Sequence, residues 1–434
     1  MAESALVPAA PLGFGAFLRP GDTVIWGQAC AEPLSLTRAL AEQAATLGPI
    51  RCLLGIGADG GTTLAGAAGL RFAAYGGGGT TRRLDSAGLL EIVPSRYSDL
   101  PRLFADGRFR VDVALVQVTA GTEPGTYHFA LAAEYLVAAA RSARVVIAEL
   151  NHGAPHTPGA PVLRADQIAA VVTAGYRPAE VTGPPANEVD LRIAALVAGI
   201  VDDGATLQMG IGTLPEAIVR GLLHHRDLGV HSGAIGDAIA GLIESGAVTN
   251  AHKPHDRGVS IAGVLIGTTR LFDLADGNPA IALRETTYTH SPAVLARLPK
   301  LTTINAAIEV DLTGQINTEV AGGRYVGAAG GALDFARGAA LSAGGMPITA
   351  LRSTAGSRST IVAELAGPVA IPRSEAGWIV TEYGAVDLTG LTLSQRRERL
   401  VGVAHPGHRE ALAAARPGPG EARSQGLAAI FERG

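Results

Sequence analysis

Residues 207–218 read LQMGIGTLPEAI: an apolar run, then Gly210-Ile211-Gly212, then Pro215 opening a helical pattern. Glycines ahead of a helix N-terminus let backbone N–H groups approach a phosphate or an oxyanion. Proline suits a first helical turn, where its missing N–H costs nothing. The segment lacks the third glycine of a dinucleotide loop and the lysine of a P-loop, so alone it reads first as a bare turn. Residues 228–239, LGVHSGAIGDAI, place His231, Ser232 and Gly233 on a short strand ahead of a helix containing Asp237. That is the carboxyl end of a strand, the edge at which open α/β sheets bind ligands. His231 beside Ser232 suggests a Ser–His pair, but neighbours on a strand point to opposite faces. A packed histidine and a helix-capping serine is the plainer reading.

Residues 327–337, GAAGGALDFAR, put Gly330-Gly331 ahead of another helical pattern, a second donor-rich turn. Asp334 and Arg337 at i and i+3 predict a surface ion pair worth less than about 1 kcal/mol. Arg352, Arg358 and Arg373 lie near polar turns, where a phosphate could be held, although isolated arginines are usually solvated. Residues 378–388, WIVTEYGAVDL, form a strand-like run carrying Glu382 and Tyr383, and residues 404–409, AHPGHR, add two histidines. No H-E-x-x-H and no Cys/His quartet occurs, so no metal site is expected.

The elements that must position these groups alternate along the chain. Residues 112–118 (DVALVQV) read as a buried strand, 129–141 (FALAAEYLVAAAR) as a helix, and 143–150 (ARVVIAEL) as a second strand. This βαβ pattern predicts a parallel sheet with right-handed crossovers, covered by helices on both faces. Residues 176–190, with Pro178, Pro184 and Pro185, resist both helix and central strand and make the best linker. A helix is predicted to follow at 191–201. Two open, mainly parallel-sheet α/β domains are expected, at 1–183 and 184–434. The polar, Gly/Pro-rich stretch from Arg416 reads as a tail ending in a short helix.

Composition agrees. The chain's 434 residues suit two or three domains at roughly 100–200 residues each. Hydrophobic residues make up 47% but aromatics only 4%, so the cores must be aliphatic. Fifty-seven glycines, about twice the usual share of roughly 7%, fall between short apolar runs, where tight turns need them. Net charge is −4 with no basic stripe, which excludes nucleic acid as an expected partner. Cys30 and Cys52 lack metal spacing and read as a buried, reduced pair. Glu3 near the start and the lack of a basic n-region argue against a signal peptide, and no apolar run reaches 18 charge-free residues. A soluble, cytoplasmic protein of enzyme size, without membrane contact, is the expectation.

The ordered set of segments is more specific than any one of them. IVDDGATLQMGIGTLPEAI, LGVHSGAIGDAI, INAAIEVDLTGQIN, GGALDFARGA, IVTEYGAVDLTG and AHPGHRE, with DVALVQVTAGTEPGTYHFALAAEY and VVIAELNHGAPHTPG upstream, resemble the acetyl-CoA hydrolase/4-hydroxybutyrate CoA-transferase family. The resemblance runs from about residue 21 to residue 412. It implies two similar α/β domains of the CoA-transferase type with the active site between them. It also implies a coenzyme A thioester as substrate with no permanently bound cofactor and a small acceptor as second substrate; a homodimer is expected only as the common outcome for soluble proteins. In that family a glutamate attacks the thioester and becomes a glutamyl-CoA. Carboxylate nucleophiles split a hard exchange into two easier acyl transfers, each passing through an oxyanion that needs N–H donors. The resemblance assigns Gly210 and Gly212 to one glycine loop and Gly330 and Gly331 to the other.

The family pattern runs approximately His-Thr-Glu, two residues, then Ser-Asp. Here it reads His231-Ser232-Gly233-Ala234-Ile235-Gly236-Asp237, which puts Gly233 at the glutamate. His156 before Thr157 also departs from the family's Arg-Thr. Three readings follow. An acceptor or water attacks the thioester directly, with His231, Ser232, Glu285 or Tyr288 as candidate base. Alternatively, Glu309, Glu319 or Glu382 replaces the lost carboxylate. Or the chain is a catalytically inactive acyl-CoA-binding regulatory or scaffold relative.

Overall fold

The computed structural model describes residues 6–7, 12–57, 62–78 and 81–416. Glu3 and the tail beyond Arg416 lie outside the described residues. The chain forms a two-domain α/β fold with mainly parallel sheets. The first sheet runs Leu6–Val7, Ala170–Thr173, Val145–Leu150, Val113–Ala120, Thr23–Trp26, Ile50–Leu54, Leu70–Ala74, Leu90–Ile92, every neighbouring pair parallel. Its central strand, VALVQVTA, is buried at all but its last residue, as a strand covered on both faces must be. Thr126–Phe129 and Val162–Arg164 extend this sheet antiparallel.

The second sheet runs Gly229–Val230, Thr206–Met209, Leu301–Ala306, Met346–Ala350, Trp378–Thr381 in parallel, then turns back antiparallel through Gly384–Asp387. The stretch around Glu382 and Tyr383 is therefore the turn of a hairpin. Between the two sheets' strands, residues 174–187 carry no helix or strand, as the prolines dictate. The helix that follows, Glu188–Ala198, starts at Asn187, whose side chain accepts the Val189 and Asp190 amides while Asp190 accepts that of Asn187. One apolar cluster crosses from the first half (Val116, Phe129, Leu131) to the second (Val264, Leu265, Leu283, Ile304), so the halves share a core. Among the described residues, no helix is long and apolar enough to cross a membrane.

The helix expected at 129–141 is shorter than its composition implies. The strand continues to Phe129, residues 130–135 are irregular, and the helix spans Leu136–Ser142. The Ala133 and Glu134 amides donate to the Gly263 carbonyl, and Ala132 bridges Val264. Contact with the second half overrides an alanine-rich helical preference that is only a weak prior. His231, Ser232 and Gly233 do not form one strand but join two, Gly229–Val230 and Ala234–Ile235, with His231 bridged to Ile261 and the chain bending at Gly233.

Candidate active site

Gly233 sits at a bend where the chain passes from the second sheet's edge to the seam between the halves. Its carbonyl accepts the amides of Gly263 (3.0 Å) and Val264 (3.1 Å). A Cβ built on it would stand 3.1 Å from His290 Cε1 and 3.3 Å from His290 Nε2. A Cβ on Gly331 would come within 2.5 Å of the same Nε2. The His290 imidazole is thus wedged between these two glycines, and any side chain at 331 would collide with it. The ring is 3% exposed, lies 4.5 Å from the Phe335 ring and 5.0 Å from the Tyr97 ring, and has Nδ1 2.8 Å from Thr289 Oγ1. Burial, then the neighbouring His231, pushes its pKa down to about 3, so it stays neutral.

Behind Tyr97 stands Glu134, 1% exposed and held at φ +20°, outside the usual backbone regions. Its Oε2 accepts from Gln28 Nε2 (2.8 Å) and from the Tyr97 hydroxyl. Gln28 also donates to Tyr97 Oη (2.9 Å), and its Oε1 accepts from the Tyr75 hydroxyl (2.7 Å). Glu134 Oε1 is buried without a hydrogen-bond partner among the described residues. Burial raises this carboxyl to about 7, against the lowering effect of the Tyr97 and Gln28 hydrogen bonds. Tyr75, Tyr97 and Tyr135 pack edge to face around it, their phenols kept neutral chiefly by burial.

The second half closes onto this cluster through the glycine turn before helix Ala332–Leu341. Gly330, at φ +54°, accepts the Tyr97 amide (2.9 Å). Asp334 accepts from Ser98 Oγ (2.8 Å) and the Ser98 amide (3.3 Å). The surface pair expected between Asp334 and Arg337 is therefore not formed. Asp334 is buried at the seam, and Arg337 pairs with Glu375 instead. Arg352 likewise is no free anion site, since its guanidinium forks onto Asp190 at 2.7 and 2.8 Å.

The other candidates named from sequence land as follows. His231 is fully buried, with Nε2 3.1 Å from the Thr289 carbonyl and Nδ1 without a partner among the described residues, and burial, then Lys253, lowers it to about 4. Ser232 Oγ lies 3.3 Å from both the Met209 amide and carbonyl, a cross-strand clasp. Its hydroxyl bonds Met209 and the His231 ring bonds the Thr289 carbonyl, so the Ser–His pair suggested by sequence is not formed. Gly210 donates to the Ile304 carbonyl (2.7 Å), which commits its N–H to the sheet. Gly212, exposed at φ +123°, caps helix Thr213–Arg220. Both flank the carboxyl ends of the second sheet. Glu285 pairs with Arg141 at 2.8 Å, and Tyr288 donates to Asp256 at 2.5 Å; burial, then that bond, raises the phenol to about 12. Glu309 is spent on Asn317 and the amides of Ala366 and Gly367, and Glu382 on Ser353. Glu319 is mostly buried, which raises its pKa.

Sequence reasoning missed Gln28, Tyr97, Glu134 and His290. Gln28 and Glu134 are 106 residues apart, and no local spacing signals their meeting.

Two family models match the chain: the acetyl-CoA hydrolase/transferase N-terminal domain over residues 15–173 and the C-terminal domain over residues 267–416. A 4-hydroxybutyrate coenzyme A transferase of Clostridium kluyveri is 36% identical over 77% of this chain and 79% of its own. A succinyl-CoA:acetate/propanoyl-CoA:succinate CoA transferase of Fasciola hepatica is 35% identical over 77% of this chain and 71% of its own. Among solved structures, RipA from Yersinia pestis superposes with a TM-score of 0.87 at 32% identity, covering 92% of this chain and 94% of that one.

Proposed function

We infer that this chain, which belongs to the acetyl-CoA hydrolase/transferase family and is an enzyme of it, transfers the acyl group or CoA of an acyl-CoA without forming a glutamyl-CoA. CoA transfer or acetyl-CoA hydrolysis on a CoA-transferase scaffold is the activity that goes with the family, and an acyl-CoA with an acid acceptor is the substrate pair that fits it. The finer reading rests on position 233. Glycine cannot form an acyl anhydride, and the space in front of it holds the His290 imidazole rather than a void. An acceptor or water then attacks the thioester carbon directly. The tautomer with its proton on Nε2, Nδ1 accepting from Thr289 Oγ1, presents an N–H beside Gly331. Together with the free first-turn amides of helix Ala332–Leu341, it would hold the oxyanion. A neutral imidazole suits that task, because it polarises a carbonyl without first giving up its proton.

The occupied slot equally suits a chain that binds acyl-CoA without turnover. Incubation with a panel of acyl-CoAs in water, with and without carboxylate acceptors, separates the two by release of free CoA thiol. Release without any protein–CoA adduct in the intact mass supports direct attack. An adduct of CoA mass on the protein excludes it, and no release with any acyl-CoA leaves only the binding role.

A further inference from the structure

Glu134 closes a circuit of contacts around position 233. Its Oε2 accepts from Tyr97, the Tyr97 ring lies 5.0 Å from His290, and His290 faces Gly233 and Gly331. From Gly233 the path returns through Gly263. A Cβ built on Gly263 would stand 2.8 Å from the Gly233 carbonyl oxygen and 3.3 Å from Glu134 Cβ. The carboxyl is buried, yet one oxygen has no partner and its backbone is held in a sparsely populated conformation. A purely structural clasp for Gln28 and Tyr97 would use both oxygens, because an unpaired buried polar atom is costly. Such features gather where a protein holds a group ready for a reactant.

Resting on the reading that an acceptor attacks the thioester directly, we propose that Glu134 exchanges the acceptor's proton, so that this site takes a protic acceptor: water, or a neutral alcohol or amine. As the acceptor's oxygen or nitrogen bonds to the thioester carbon, its proton passes to Glu134 Oε1 and the carbonyl electron pair moves to oxygen. Collapse then breaks the C–S bond, and the proton goes from Glu134 to the departing sulfur. Acyl-acceptor and free CoA leave, and the carboxylate is restored. A carboxylate acceptor has no proton to give and gains nothing from this group.

Burial raises the Glu134 carboxyl to about 7, which suits an acid that must also be a base near neutral pH. The phenols packed around it, Tyr75, Tyr97 and Tyr135, are raised and neutral, and Glu285 on the segment bridged to its backbone is paired with Arg141 rather than with it. Its ionisation therefore responds to solvent pH rather than to a paired cation.

The test is the pH profile of CoA release in water and with added hydroxylamine or short alcohols, set against acetate. Wild-type protein should lose rate as pH falls through about 7. Glu134→Gln should lower the protic reactions by about 100-fold or more, abolish that limb and leave the acyl-CoA KM in place. Glu134→Asp should keep the limb at a reduced rate, and Tyr97→Phe should displace it. Should Glu134→Gln misfold, the wild-type carboxyl band in infrared difference spectra decides: it should titrate near 7. A limb and rate unchanged in Glu134→Gln, or a midpoint near 4.5, overturns this proposal alone. Wild-type protein that releases no CoA with any acceptor overturns the direct-attack reading beneath it.

Discussion

Placing a glutamate at 233 tests how His290 shares that space. The backbone at Gly233 is outside the left-handed region, so the penalty of a side chain is steric. Its Cβ already touches the imidazole at 3.1 and 3.3 Å, tighter than ordinary contact, and the remaining atoms must enter the ring's volume. Overpacking of this kind costs roughly 1–3 kcal/mol. Truncating the buried ring by His290→Ala leaves a cavity between Tyr97 and Phe335, on the order of 3 kcal/mol by analogy with other large-to-small changes. In the double variant the glutamate occupies the vacated space. The two costs should then fall short of their sum by about 1–3 kcal/mol, within the range of coupling seen between residues in contact. Urea unfolding of wild type, both single variants and the double variant gives the four free energies, provided the slope m is common to all. Costs that add to within about 0.5 kcal/mol would refute the shared slot. The double variant should also exchange CoA between acetyl-CoA and propionate through a protein–CoA adduct, which Gly233→Glu alone should do less well.

Other expectations follow from the same geometry. Ser98→Ala removes the hydroxyl donor from buried Asp334 and should cost roughly 1–3 kcal/mol in chemical denaturation. Asp190→Asn breaks the fork to Arg352 and should cost about 1.5–3 kcal/mol, and Arg352→Lys should also destabilise because an ammonium cannot bridge both Asp190 oxygens as the guanidinium does. Acidification should destabilise the fold between pH 6.5 and about 4. His231 and His290 remain neutral there in the native state (pKa about 4 and about 3), whereas the unfolded chain protonates both. Glu134 acts in the opposite sense, since its raised carboxyl binds a proton in the native state between about 7 and 4.5. Thermal midpoints of Glu134→Gln should therefore fall more steeply on acidification than those of wild type.

Sequence pattern makes the sheets legible because central parallel strands are continuous apolar runs and proline clusters punctuate them. VALVQVTA and the 174–187 connection are both plain in the sequence. Helix starts with caps, such as Asn187, are legible for the same local reason. The glycine turns are legible as turns, but their occupants are not. Gly331 is required because an imidazole from residue 290 lies against it, and nothing near 331 encodes that. Glu134 is hidden more thoroughly. It sits in a run whose alanines favour helix, while its conformation is set by the Gly263 carbonyl 129 residues later. Asp334 looks like one half of a surface ion pair until Ser98, 236 residues earlier, is brought to it.

The seam also orders events in time. Its clasps join residues far apart along the chain: Ser98 to Asp334 across 236 positions and Cys30 to the Gly267 carbonyl across 237. Contacts of such separation form late, because long loops must close before they contribute. On a ribosome the first sheet can assemble early, since synthesis delivers the N-terminal half first. Until residue 334 has emerged it presents Tyr97 and Glu134 on an unfinished face. The nascent chain therefore passes through an interval in which its first half is complete and the site, which also needs residues 233–335, is not.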